Sequence, residues 1–498
     1  MGVISAGMNS LSRWAVRGCC TAALMAMSGC AVGPDFVRPT PPPVGAYDQG
    51  PAPGTTVPAD GQAQHFLREA TFPSEWWRLF NSAALNTVIE QAIADNLSLQ
   101  ASQASLRRSQ ESLRAGYGVF LPQLNGGFDA TRQKFSPARF GSSTPSSIFS
   151  LYTLSATVNY PLDLFGGERR ALEGLSAQVD AQRDAVLASY LALTSNIVNT
   201  IIARAAYGAE IKALEEVIGL EKDQVRISKA QAQAGLIPYV NVLSLQSQVA
   251  ATKATLPPLR QKLNQSEHLL ATLAGRAPAE WAPPDVDLAD LTLPGELPVS
   301  LPSELVRRRP DILAAEDQLH EASASIGVAT AALFPSVALN GTYGQNNAPI
   351  SDLLKKAGNF WSLGADLSTP LFHGGTLWFQ RKAAIEGYRQ SLNDYRQTVL
   401  AALAQVADTL RALEHDAETL QAQVQALNAS QRALQLVQAN FKAGVAGYVQ
   451  ILIANDQYAR SRLGYLEARA QRFQDTVALF VALGGGWWNA PAIEVNTH

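Results

Sequence analysis

The stretch Tyr152-Thr153-Leu154-Ser155-Ala156-Thr157-Val158-Asn159-Tyr160-Pro161-Leu162-Asp163-Leu164-Phe165-Gly166-Gly167 decides the fold. Its first nine residues alternate strictly: Tyr152, Leu154, Ala156, Val158 and Tyr160 fall on one side, Thr153, Ser155, Thr157 and Asn159 on the other. Period two is strand periodicity. An apolar face with aromatic ends, backed by a face of small polar residues, is the pattern of a transmembrane β-strand with lipid outside and water inside. A soluble antiparallel sheet with one wet face would show the same alternation. The absence of cysteine beyond residue 30 and the export signal described below favour the membrane strand.

The same words recur further along the chain. Tyr160-Pro161-Leu162 leading to Gly166-Gly167 is echoed by Thr369-Pro370-Leu371 leading to Gly374-Gly375. Ala234-Gly235-Leu236 is echoed by Ala443-Gly444-Val445, and Leu273-Ala274-Gly275 by Ala482-Leu483-Gly484. These pairs, 161 to 370, 235 to 444 and 275 to 484, share one offset of 209 residues. Phe120-Leu121-Pro122 and Leu333-Phe334-Pro335 are 213 apart, so the first copy is four residues longer between its first two landmarks. An internal period of this kind signals one unit written twice. Each copy predicts two strands, at about 122–134 and 149–162 in the first and about 335–344 and 359–371 in the second.

Between the strands the period changes. Val242, Leu245, Val249, Thr252, Leu256, Leu259, Leu263, Ser266, Leu270 and Leu273 step 3, 4, 3, 4, as do runs from Leu403 to Leu434 and from Val445 to Phe480. Sustained 3.5-residue spacing predicts coiled-coil-like packing. From Gly167 to Gly235 is 68 residues, roughly 100 Å if helical. Gly235 and Gly444 read as turns between antiparallel helices, and Pro257-Pro258 predicts a kink. The expected organisation is a first repeat over 66–290, a second over 291–488 and a tail over 489–498.

The N-terminus carries its own message. Arg13 and Arg17 precede the short uncharged stretch Gly18–Met27, then Ser28-Gly29-Cys30. A basic region, a short apolar region and small residues before the cut describe an export signal over 1–29. A Cys directly after Ser-Gly resembles a bacterial lipobox, which predicts that Cys30 becomes the first mature residue and carries diacylglycerol and an N-acyl chain such as palmitate. Ala31 in second place favours outer-membrane sorting. Residues 30–65 hold Pro34, Pro39, Pro41, Pro42, Pro43, Pro51, Pro53 and Pro58 and predict an extended tether.

Composition agrees. The 498 residues are 47% hydrophobic but 16% charged, with net charge −3, against about a quarter charged in an ordinary domain. Mean hydropathy is −0.01. There is no basic run for nucleic acid and no apolar run of about 20 residues for a helical span. The nearest candidate, Ala185–Ala203, contains Ser189, Thr194, Ser195, Asn196, Asn199 and Thr200 and reads as a packed helix face. His65, His268, His320, His373, His415 and His498 form no metal-ligand spacing. Gly484-Gly485-Gly486 lacks the Lys-Ser/Thr of a phosphate loop. Arg307-Arg308-Arg309 reads as a solvated helix end before Pro310 and Asp311. No cofactor, metal site or catalytic arrangement is expected.

Four strands cannot close a barrel, and open edges are forbidden in lipid. The chain must recruit copies of itself: two give eight strands and a filled interior, three give 12 and a pore. The small polar face favours three.

Several segments together resemble the outer membrane efflux protein family, the TolC-like channels that include OprM/NodT-type lipoproteins. They are Cys30-Ala31-Val32-Gly33-Pro34-Asp35-Phe36-Val37-Arg38-Pro39, Trp76-Trp77-Arg78-Leu79-Phe80 with Asn96-Leu97, and Arg307-Arg308-Arg309-Pro310-Asp311-Ile312. To these are added Ile326-Gly327 before Phe334-Pro335, Pro370-Leu371-Phe372 with Gly374-Gly375, and Ala482-Leu483-Gly484-Gly485-Gly486-Trp487. The resemblance implies a mainly α fold with membrane β: a homotrimer whose 12-stranded barrel in the outer membrane continues into a periplasmic barrel of helices. It implies a periplasmic adaptor and an inner-membrane pump of the resistance-nodulation-division type, with the channel a passive gated exit duct for drugs or toxic compounds.

The resemblance also places a gate near Gly235 and Gly444. Where relatives carry Asp, this chain has Asn241, Ala446 and Ile453. The expected gate is therefore apolar and hydrogen-bonded, with Tyr239, Asn241, Ala446, Tyr448 and Asn455 as candidates and Asp456 as a possible ring residue. A type I secretion channel competes with efflux, as does a structural periplasmic lipoprotein or the adaptor itself, although an adaptor has only one helical hairpin.

Overall fold

The computed structural model describes residues 31–50, 54–68, 73–136, 141 and 145–489. In chain order the elements are β1 (His65–Arg68), α1 (Ala83–Asp95), α2 (Leu97–Gly116), β2 (Gln123–Phe135), β3 (Ser147–Leu162) and α3 (Gly167–Gln233). Then come α4 (Tyr239–Ala254), α5 (Leu256–Leu273), β4 (Glu296–Val299), α6 (Pro302–Leu305) and α7 (Pro310–Ala331). The chain finishes with β5 (Ser336–Asn347), β6 (Asn359–Ser368), α8 (Thr376–Lys442) and α9 (Tyr448–Ala482). They fall into two units. One holds the residues through Pro39, Leu106–Ala181 and Ala315–Tyr395; the other holds Thr40–Ser105, Gln182–Ala314 and Arg396 onward.

The first unit contains one antiparallel sheet in the order β2-β3-β5-β6. Its four strands end on helices on one side; at the other end β2 is followed by β3 after residue 146, and residues 348–358, with two short 3-10 turns, form a loop between β5 and β6. Strand β5 runs to Asn347, beyond the expected end near 344, and β6 stops at Ser368 because Pro370 cannot donate to a ladder. Asp163 closes the step from β3 to α3: its carboxylate accepts from the backbone N–H of Glu168 (3.2 Å) and Arg169 (3.1 Å), satisfying two orphan donors of the first turn.

Residues 31–38 lie on this unit. The Val32 N–H donates to the Phe165 carbonyl (3.0 Å) and Asp35 pairs with Arg170 (2.6 Å). Phe36 stacks on His320 at 4.3 Å, and Arg38 pairs with Glu316. The segment expected to be a tether is extended, as its prolines require, but it is packed rather than free.

In the second unit the tether's continuation forms a strap. Ala59 and Gln62 bridge each other, and β1 pairs parallel with β4. The buried Arg472 of α9 staples the strap by donating to Gln64 Oε1 (3.1 Å), Thr56 Oγ1 (3.2 Å) and the carbonyls of Ala59 (3.3 Å) and Gln62 (3.3 Å). An aromatic core lies in this unit: Trp76 stacks on Phe480 at 5.5 Å, and Phe80 meets Phe473 at 6.1 Å. Ile197, Val198, Ile201 and Ile202 are buried, so the uncharged stretch of α3 is a packed face.

Two expectations change. Pro257 and Pro258 do not kink a continuous helix: α4 ends at Ala254 and α5 starts afresh at Leu256, with proline in its first turn, where a missing N–H costs nothing. Arg309 is not solvated. It donates to Asp311, to Gln405 Oε1 (2.9 Å) and to the Ala482 carbonyl (3.0 Å). Only Arg307 of the triplet is exposed.

Candidate channel surfaces

Ladder partners share a face of a sheet, so the register assigns every strand side chain. One row runs Leu124, Val158, Gly341, Leu363; the next runs Asn125, Thr157, Thr342, Ser362. The alternation first visible in β3 is therefore carried across all four strands in the rows nearer the helices; toward the other end Phe135, Phe149, Leu151 and Phe360 also fall on the polar side. The apolar face also holds Phe128, Leu154, Tyr160, Leu339, Tyr343, Trp361 and Leu367; the opposite face holds Thr153, Ser155, Asn159, Asn340 and Gly364. Leu363 is 80% exposed and Trp361 70% exposed. A contiguous uncovered apolar face of this kind marks an interaction with lipid or protein.

Charge divides by face. Asp129 and Asp366 lie on the polar side, where no base is found among the strand residues. Arg132 and Lys134 lie on the apolar side, where no acid is found. Strands β2 and β6 are paired on one side only, leaving two rows of backbone donors and acceptors that lipid cannot satisfy.

The second unit holds both helix turns. Gly235 has φ +75° and Gly444 +76°. In each, a backbone N–H reaches back five residues: Leu236 to Gln231 (2.9 Å) and Val445 to Asn440 (2.8 Å). This left-handed cap reverses the chain, and a Cβ would be strained there. Tyr239 is exposed in the first turn of α4, and Asn241 beside it is half-buried. Ala446 and Tyr448 pack on a cluster of Leu245, Leu434, Phe441, Ile451 and Ala454. Asp456 is half-exposed and accepts from Arg460 (3.0 Å). Asn455 is a correction to the gate candidates: it is 1% exposed, and its amide bonds reciprocally with that of Gln224, one bond being 3.1 Å.

That pair belongs to a buried polar series along α3. Glu210, Glu221, Gln224 and Ser228 are all buried and continue the seam of Leu214 and Val217 at heptad steps. Glu221 accepts from Thr252 (3.0 Å). Burial raises its pKa, Thr252 and Gln248 oppose the rise, and Asp456 adds to it. Burial pushes Glu210 up to about 7, with Glu467 adding and Lys262 opposing. Asp416 of α8 is raised by burial and by the facing carboxyl of Asp475, against Arg472. Sequence reasoning passed over these groups because a Glu or Gln within an apolar heptad looks like an exposed flank. Their 3–4 spacing in step with Leu214 and Val217 was the available signal. Among the described residues no cluster of His, Cys, Asp and Glu could hold a metal.

The family model for outer membrane efflux proteins matches residues 88–276 and 301–485, one segment per repeat. The chain belongs to the outer membrane efflux protein family. Similar members include a pyoverdine export outer membrane protein of Pseudomonas putida, 29% identical over 460 residues, covering 90% of this chain and 94% of the relative. The outer membrane protein OprJ of Pseudomonas aeruginosa is 28% identical over 483 residues, covering 95% and 96%. Among solved structures the outer-membrane channel OprN has TM-score 0.83 at 28% identity, covering 92% of this chain and all of that one. The CmeC channel of Campylobacter jejuni has TM-score 0.82 at 18% identity, covering 92% and 95%, and supports the fold. The efflux protein thus has the TolC-like fold, resides in the outer membrane and serves there as an efflux channel component. Cys30 lies outside the described residues.

Proposed function

We propose that three copies of this chain form a passive exit duct, closed as a 12-stranded barrel by pairing β6 of one copy with β2 of the next. The carrying observation is the four-stranded sheet with one apolar face and two unpaired edges. In lipid both edges must be paired, and four strands are too few to close alone. The face of Thr, Ser, Asn and Gly would line water; the face of Leu, Val, Tyr and Trp would meet lipid.

An inner-membrane pump and a periplasmic adaptor would supply energy and docking, the adaptor at the turns around Gly235 and Gly444. Exposed Leu236, Tyr239, Val240, Val445 and Val449 give those turns an apolar surface. The conduit itself would carry out no reaction. Tyr239, Asn241, Ala446, Tyr448 and Asp456 remain the proposed gate region. Acylation of Cys30 would anchor the chain to the membrane, a reading supported by the lipobox and by Ala31 lying against Gly166. Relatives are named for pyoverdine export, toluene efflux and antibiotic efflux, so we propose small organic compounds as cargo.

The test is purification of the full chain from outer membranes. A heat-labile trimer in detergent that conducts in planar bilayers is the expected result. A soluble monomer after signal removal would overturn the proposal.

A further inference from the structure

The apolar face of the sheet carries two charges among its described strand residues, and both are cations on β2. Arg132 stands opposite Ser150, and Lys134 opposite Ile148. Both are exposed, and no acid shares their face on β3, β5 or β6. Pairing of β2 with a second copy's β6 would bring Asn359, Trp361 and Leu363 to that face, again without an acid.

Their height is set by the strand. Arg132 is nine residues beyond Gln123, where β2 leaves the helices. That is about 30 Å of strand and, at a tilt of about 40°, about 23 Å along the membrane normal, close to the ~25 Å of a barrel's apolar band. A cation on the lipid face is costly at mid-membrane and nearly free at the interface, so this position is one where two cations are tolerated. Phe128 and Tyr152, stacked at 6.5 Å, lie below them on the same face, toward the middle of the band.

We propose that Arg132 and Lys134 bind the phosphate groups of a phosphorylated glycolipid of the outer leaflet, with its acyl chains lying along the face between Arg132 and Phe128. Arg offers a planar fork and Lys a point charge to phosphate oxygens. Orientation selects the leaflet: helices leave the opposite end of the sheet, so the loop end faces outward. The proposal rests on the apolar face being the lipid face of an outer-membrane barrel.

The experiment uses the purified full-length trimer, delipidated in detergent, with bisphosphorylated lipid A, dephosphorylated lipid A or phosphatidylethanolamine added. Retained lipid is read by native mass spectrometry. The expected result is preferential retention of the bisphosphorylated form and about a tenfold or greater loss of it in the Arg132→Gln/Lys134→Gln variant. The swapped variant Arg132→Lys/Lys134→Arg should keep most of it, and Arg307→Gln, an exposed cation elsewhere, should keep all. Equal retention of the three lipids, or undiminished retention by the double Gln variant, overturns the proposal. Trimer formation and conductance are measured on the same samples. If they persist while the lipid preference fails, the channel reading stands and only the lipid site falls.

Discussion

Leu363 and Ser362 are neighbours on β6, yet they stand in rows of opposite chemistry, Leu363-Gly341-Val158-Leu124 and Ser362-Thr342-Thr157-Asn125. Replacing each with arginine isolates the face from everything else, because charge, volume and strand are the same. Leu363 is five residues from the helix end of β6 at Ser368, about 17 Å of strand and about 13 Å along the normal, near the middle of a ~25 Å band. Arginine there costs about 2–4 kcal/mol per chain, hence about 6–12 kcal/mol in a trimer. Ser362→Arg points into water on the face that carries Asp366, and should cost less than about 1 kcal/mol. The assay is the fraction of full-length chain recovered from outer membranes as heat-labile trimer, with a melting series of the trimer band. Leu363→Arg should abolish or strongly deplete the band, and Ser362→Arg should leave it near wild type. Equal behaviour of the two, or greater damage from Ser362→Arg, would refute the assignment of faces and with it the barrel.

Other consequences are independent of that one. Asp129→Asn/Asp366→Asn removes the acids of the polar face and should lower cation preference in bilayer reversal potentials without altering trimer yield. Arg472→Ala leaves Gln64, Thr56 and two strap carbonyls without their donor; loss of one partner from a buried charged network costs about 3–5 kcal/mol, read as faster proteolysis within residues 54–64. Asp416 has a raised folded pKa, so the native state holds a proton that the unfolded chain has released above about pH 4. Stability from this site therefore falls as pH rises toward the folded pKa. Asp416→Asn should melt higher than wild type at pH 8.5, and that advantage should shrink or vanish at pH 5, checked by scanning both proteins at the two values. Gln224→Ala leaves the buried Asn455 amide unpaired and should cost about 1–3 kcal/mol; the double variant Gln224→Leu/Asn455→Leu should recover much of it.

Much of this architecture was legible from the chain alone because it rests on period. Strand and helix impose different spacings on apolar residues, and both were written twice, so Tyr152 to Tyr160 and Val242 to Leu273 declared their structures locally. The turns were equally local: only glycine enters the left-handed region cheaply, and Gly235 and Gly444 stand at matching positions. What escaped was pairing over long separation. A single strand carries no statement of its neighbour, so the row from Leu124 to Leu363 and the segregation of Asp129 and Asp366 from Arg132 and Lys134 required the ladder register.

The sequence by itself determined the period, the duplication and the polarity of each strand face, since these depend on spacing along one chain. The tertiary structure decided which polar groups are buried. Asn455 and Tyr448 lie seven residues apart in one helix, and Arg307 and Arg309 two apart at another's start. Yet Asn455 is closed onto Gln224 and Arg309 onto Gln405 and Ala482, because burial depends on what a distant segment brings to the same place. The proline-rich N-terminus shows the same division. Its composition dictated extension, and only partners contributed from elsewhere in the chain, Arg170 and His320 for residues 31–38 and Arg472 for the strap, turned an extended segment into a docked one.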